Sequence, residues 1–359
     1  MKNRFLQPLL TLLLGGLCAL AGCSKNKQAP FQKEPRITGS ASDAPVLLKA
    51  EWRNKHLYGI ILQVEESTQV RNRNTDEDFS RDVKFRLDFN AEANATRRGT
   101  NQSLGLDLTG LMFELIRGDV PLIHYDTRSK VALLEDDQRT TDALDRLIGS
   151  KWRYTVAVGG TVLSAEVEAN TPSSKALDAD KGVLGLGLVK RLFTPHFFRP
   201  FLELGWLPEN PVKIGDSWPV ERVFNAGTVG SVQFNGKCTF RGWQDNQGKR
   251  CARLDLNGDL MPVSKLAAKL GRIIRGSGGN ELEKGTMSGK IWFDPDQSLP
   301  VQSITDLNMT TVINQRARRP VGDTSTNAPP GVKLVVPLSL QIKLKIADQG
   351  EKITAQLSK

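Results

Sequence analysis

Residues 338–346 read Leu-Ser-Leu-Gln-Ile-Lys-Leu-Lys-Ile, an unbroken alternation of apolar and polar side chains. Successive side chains of a strand point to opposite faces, so this pattern dictates a strand with one buried and one wet face. Residues 83–89 obey the same rule, with Val83, Phe85, Leu87 and Phe89 on one side and Lys84, Arg86 and Asp88 on the other. One-sided strands are the mark of an antiparallel sheet. The rhythm predicts further strands at 57–72, 103–109, 112–117, 121–125, 229–242, 250–257, 286–293, 300–313 and 350–357. Gly159-Gly160, between Tyr154–Val158 and Val162–Val167, predicts a tight hairpin. The expected fold is mainly β: a large curved antiparallel sheet or half-barrels, with a few short helices packed on it.

Three segments break the β rhythm. Residues 141–149 predict a short helix with Leu144, Leu147 and Ile148 on one face. Residues 262–275 predict an amphipathic helix, apolar through Leu266, Leu270, Ile273 and Ile274 and basic through Lys265, Lys269, Arg272 and Arg275. Residues 183–207 are rich in Leu and Phe, but Pro195 and Pro200 divide them, because proline ends a helix. They read as helical turns laid across a sheet. Leu188, Leu192, Phe193, Phe197, Phe198 and Phe201 are the candidate lining of an apolar ligand cavity, against the plainer reading of ordinary core. Residues 316–332 form a polar, Pro-rich loop.

The N-terminus has a basic start at Lys2 and Arg4, an apolar run from Phe5, and the exit Leu20-Ala21-Gly22-Cys23. These are the parts of a secretory signal in export order. Cysteine directly after small residues resembles the lipobox of bacterial lipoproteins. The resemblance implies cleavage before Cys23, a lipid on the Cys23 thiol as the membrane partner, and sorting by Ser24 to the outer membrane, facing the periplasm. Five regions are expected: signal 1–22, lipidated flexible tether 23–44, a β-rich half 45–173, an apolar helical connector 174–210, and a second β-rich half 211–359. The tether is polar and holds Pro30 and Pro35, a composition that cannot bury enough surface to fold.

The formal net charge is +10. The plain reading is a soluble exported protein with a cationic bias; the sharper one is attraction to anionic headgroups or acidic envelope polymers, and nucleic acid is not expected as a partner. Once Cys18 leaves with the signal and Cys23 is lipidated, Cys238 and Cys251 are the remaining thiols. An oxidising compartment makes them a candidate disulfide. They flank the hairpin signal Asp245-Asn246-Gln247-Gly248, yet alternation puts Cys238 with Phe240 and Cys251 with Arg253, on opposite faces. A plain hairpin would hold the sulfurs apart, and a bulge would be needed to join them.

The chain offers little chemistry. His56, His124 and His196 stand at no metal-ligand spacing. Gly276-Ser277-Gly278-Gly279 has the wrong offsets for a hydrolase elbow. The carboxylates at 76–78, 135–137, 178–180 and 294–296 read as solvated turns. No metal, cofactor or catalytic residue is expected.

Pro211-Val212-Lys213-Ile214-Gly215-Asp216-Ser217-Trp218, followed by Gly289-Lys290-Ile291-Trp292-Phe293-Asp294 and Leu299-Pro300-Val301, resembles exported bacterial families of unknown function. There a P-V-x-x-G-D-S-W turn opens a run of antiparallel strands. The architecture also looks like the lipoprotein-carrier superfamily, which implies a cavity suited to apolar ligands. The expected function is that of a non-enzymatic envelope lipoprotein binding a lipid-like ligand or partner protein on a concave sheet. A structural or assembly subunit is the alternative, and an unrecognised hydrolase a distant third.

Overall fold

The computed structural model describes residues 35–40, 43–72, 77–96, 101–129, 138–169, 171–172, 193–225, 231–263, 280–315 and 332–351. The chain divides into two compact units, Met1–Arg36 and Ile37–Lys359, and the sheet lies in the second. Its strands are β1 His56–Asn72, β2 Glu77–Ala95, β3 Asn101–Arg117, β4 Val120–Asp126, β5 Lys151–Ala157, β6 Val162–Val167, β7 Ser217–Asn225, β8 Ser231–Asn246, β9 Lys249–Pro262, β10 Asn280–Asp294, β11 Leu299–Gln315 and β12 Val332–Glu351. Two short helices accompany them, α1 Gln138–Asp145 and α2 Pro195–Leu202. All twelve strands join one antiparallel sheet in the order β6-β5-β3-β2-β1-β12-β11-β10-β9-β8-β7, with β4 paired to the outer half of β3. The sheet is not closed into a barrel.

The alternation read from the sequence is the reason for this sheet. Ile60, Leu62 and Val64 of β1 face the same side as Phe85, Leu87 and Phe89 of β2 and Ile342, Leu344 and Ile346 of β12, and all are buried. These residues belong to a single hydrophobic cluster that runs through both β-rich halves. The other face carries Gln63, Glu65, Lys343 and Lys345 and stays partly or fully exposed.

Several strands are longer than the sequence implied, and the reason is the β-bulge. The segments 103–109 and 112–117 are one strand, β3, whose register against β2 slips between Asp88 and Phe89. The bulge switches the buried positions from Leu104, Leu106 and Leu108 to Leu111, Phe113 and Leu115, so the alternation changes phase and looks like a break. The same device at Phe240/Gly242 turns Trp243 to the face of Phe240. Gly236 and Gly258 sit opposite each other, and a Cβ at either would overlap the Phe234 ring that covers them.

Edge strand β7 was missed because Pro219 interrupts it; proline is tolerated there, on a sheet edge. The region expected at 350–357 is, as far as Glu351, the end of β12, and the remainder lies outside the described residues. α1 begins before the predicted 141 and ends in turns at 146–149, burying Ala143, Leu144 and Leu147. The predicted helix 262–275 and loop 316–332 lie almost wholly outside the described residues; Pro262 itself ends β9.

Part of the stretch 23–44 expected as tether lies against the sheet. Thr38 bridges Trp243, and its N–H donates to the Trp243 carbonyl at 2.7 Å. Val46 and Val212 exchange both backbone bonds at 2.9 Å. From there the chain crosses one end of the sheet. Leu48, Ala50 and Trp52 are buried, Glu51 N–H donates to the Ser298 carbonyl at 2.9 Å, and Gln102 donates to the Trp52 carbonyl.

Candidate functional site

The interior is the first place to look, because the sequence put the ligand there. α2 packs against β6 and β7, the two ends of the main strand order, so the sheet curls until they flank eight residues. Pro195 supplies the first helical position, where its missing N–H costs nothing. Pro200 lies inside the helix rather than ending it, two residues before its last position.

Side chains clasp the helix from both sides. Arg199 Nη2 donates to the Val162 carbonyl of β6 at 2.6 Å, and the Tyr154 hydroxyl donates to the Pro195 carbonyl at 3.0 Å. From the opposite edge Arg222 Nη2 donates to the Pro200 carbonyl and, at 3.4 Å, to that of Glu203. Burial strips the Arg222 guanidinium of water and pulls its pKa down to about 10, against the pull of the Glu203 carboxylate. A cation at a helix C-terminus meets the negative end of the helix dipole and the last unpaired carbonyls.

Of the candidate lining residues, Phe193, Phe197 and Phe198 are buried and Phe201 is half-buried against them. Phe198 stacks edge-on with Phe89, Trp152 and Phe197, each at 5.2 Å between ring centres, and Phe197 meets Phe85 at 6.0 Å. Leu188 and Leu192 lie outside the described residues, as does Cys23. The space left beneath α2, between Phe201, Leu204, Arg222, Leu256, Ile291 and Ile342, amounts to about 40 Å³. That holds a water or two and no ligand of the size these pockets take. The described phenylalanines pack against one another and against Phe85, Phe89 and Trp152.

Near the other end of β1 the inner face turns polar. Arg81 Nη2 donates to Glu66 Oε1 at 2.7 Å, with Glu66 almost fully buried. Burial raises the Glu66 pKa and Arg81 counters it. The Thr68 hydroxyl and Arg81 Nε are buried without a hydrogen-bond partner.

The candidate disulfide is not formed: both thiols are free. Cys238 pairs in register with Leu256, while Cys251 pairs with Gln244. The five steps along β9 from Cys251 to Leu256 span about 17 Å, and the side chains of Cys238 and Cys251 point to opposite faces. The bulge at Phe240/Gly242 does not bring them together.

The histidines are scattered. His56 Nδ1 lies 3.2 Å from Asp348 Oδ1, His124 Nδ1 lies 3.2 Å from Glu114 Oε1, and His196 is exposed. Asp294 is buried and its carboxylate accepts from the N–H groups of Asp296 and Gln297, so it builds the β10–β11 turn. The side chains of the other three carboxylate clusters lie outside the described residues.

The outer face holds what the sequence reading missed. An open groove of about 700 Å³ crosses β1, β12, β11, β10 and β9. It is lined by Ser67, Gln69, Ser339, Pro337, Asn308, Thr310, Thr286, Lys284 and Asp259, with Gly285, Met309 and Leu338 between them. Five of these form one rung of the ladder. Ser67 pairs with Ser339, Ser339 with Asn308, Asn308 with Thr286 and Thr286 with Asp259. The next rung is tied up internally: Lys343 Nζ reaches Glu65 at 3.1 Å and Gln341 donates to Asp306 at 2.7 Å. Alternation could have shown that each residue faces outward; only the register reveals that they line up.

No family model matches this chain, and no curated protein matches it. Among solved structures, an outer membrane channel from Pseudomonas putida F1 aligns over 83% of this chain and 98% of its own, with 8% identity and a TM-score of 0.18. OpdQ of Pseudomonas aeruginosa aligns over 82% and 98%, with 6% identity and a TM-score of 0.17. An outer membrane lipoprotein-sorting protein domain from Vibrio parahaemolyticus aligns over 81% and 86%, with 8% identity and a TM-score of 0.12. The polarity of the two faces is more telling. A membrane barrel turns its apolar band outward and keeps a polar lumen. Here Ile60, Leu62 and Val64 point inward, while Glu65, Lys343 and Lys345 point out. Among the described residues no helix is long and apolar enough to cross a membrane.

Proposed function

We propose that this chain is a non-enzymatic envelope lipoprotein, anchored through Cys23, that holds a polar partner against the outer face of its sheet. The groove of about 700 Å³ on the outer face, lined by polar side chains, carries the reading, and the one described space beneath α2 is only about 40 Å³. A carrier of apolar ligands needs internal room of a few hundred Å³. The anchor rests on the signal and lipobox pattern of residues 2–23.

The test is a photo-crosslinking residue placed at Thr286 and, separately, at exposed Lys237, in cells producing the full chain. Adducts to an envelope component are expected from position 286 and not from 237. Mass spectrometry of lipids extracted from the purified chain is expected to find none in stoichiometric amount apart from the lipid on Cys23. A stoichiometric free lipid would overturn the reading in favour of a carrier.

A further inference from the structure

We infer that the outer groove is a glycan site, taking an extended, uncharged oligosaccharide laid across the strands. This deepens the outer-face function proposed above and rests on it. The rung Ser67–Ser339–Asn308–Thr286–Asp259 places one short polar side chain on each of five adjacent strands. At about 4.8 Å per strand the row is roughly 19 Å long. Among the described residues, none of these five side chains has a hydrogen-bond or ion-pair partner, and neither has Lys284 beside them. In the rung below, on β1, β12 and β11, Glu65 is held by Lys343 and Gln341 donates to Asp306. Unspent hydrogen-bonding capacity is thus concentrated where the surface is concave.

The lining selects the ligand. A hydroxyl or carboxamide both donates and accepts, so the complementary chain must do both at short intervals, as sugar hydroxyls do. Lys284 and Asp259 cancel in charge, which removes the attraction that a polyphosphate or other polyanion would require. A lipid tail gains nothing from such a surface, because desolvating unpaired hydroxyls costs free energy. An extended peptide binds sheets by adding to an edge, whereas this groove runs across the strands through the middle of the sheet.

The experiment uses the full-length chain, purified in detergent, on an array of short neutral and amino-sugar oligosaccharides. Extended peptides and a sulfated polyanion share the array. Retention of oligosaccharides is expected. Asn308→Ala should weaken it roughly tenfold, the scale of one or two lost hydrogen bonds. Ser339→Trp, which fills the groove, should abolish it, and Lys237→Ala should leave it unchanged. These positions are exposed, so all three variants should keep the parent melting temperature; should Ser339→Trp melt early, Asn308→Ala decides. Failure to retain any oligosaccharide, or equal retention by the groove variants, overturns the inference. Retention of peptides or the polyanion instead also overturns it, yet leaves the outer-face function standing. Absence of crosslinks from position 286 removes both.

Discussion

Arg199 and Arg222 grip the same short helix from opposite margins of the sheet. Arg199 reaches from α2 to the Val162 carbonyl at 2.6 Å, and Arg222 reaches from β7 to the Pro200 carbonyl at the helix end. The two clasps turn an open sheet into an enclosed core without pairing its edges. An uncovered edge is a template for aggregation, and the helix lies between the edges formed by β6 and β7.

Arg222→Ala should therefore destabilise the fold by about 2–3 kcal/mol, because it strands two helix-end carbonyls away from water. Arg222→Lys should recover only part of this, since a single ammonium cannot span both acceptors as the guanidinium fork does. Urea unfolding of the three proteins measures it.

Phe198 touches Phe89, Trp152 and Phe197 and is buried. Phe198→Ala is expected to cost about 3–5 kcal/mol, the range for deleting a packed aromatic side chain. A loss below about 1 kcal/mol would mean that the site is slack, and would revive the cavity reading of this segment.

Burial would raise the Asp348 pKa, but the Gly350 N–H, His56 and Arg53 outweigh it and hold the carboxyl below its ordinary value. A carboxyl depressed on folding contributes stability above its unfolded pKa and loses it as pH falls through the folded one. Asp348→Asn should flatten the acid limb of the stability curve and leave the approach to neutral pH unchanged. Urea midpoints taken from acid to neutral pH would reveal it.

Burial pushes the Cys238 thiol up to about 12 and the Cys251 thiol to about 11, so neither supplies thiolate at neutral pH. Maleimide should leave both untouched in the native protein and modify both after unfolding. Reductant should not move the melting temperature. A drop on reduction would show a disulfide that this register forbids.

The sheet was legible in the sequence because its strands have one wet face, and Leu338 to Ile346 state that face without ambiguity. Legibility stopped wherever two strands had to be compared. The change of phase at Asp88/Phe89 made β3 look like two strands, and Pro219 hid an edge. Arg222 looked like any surface arginine, because its burial is set by a helix about twenty residues earlier in the chain. Ser67, Asn308 and Asp259 lie far apart in sequence, so only the register makes them one row.

β1 and β12, the first and last strands, pair along the middle of the sheet, from His56↔Glu351 to Thr68↔Leu338. The seam cannot form until the last strand has emerged, and before that the two flanks share no ladder. Contacts so remote in sequence make for slow folding. Until β12 docks, both flanks expose strand edges and apolar faces, so any chaperone that holds this chain matters most just before that step.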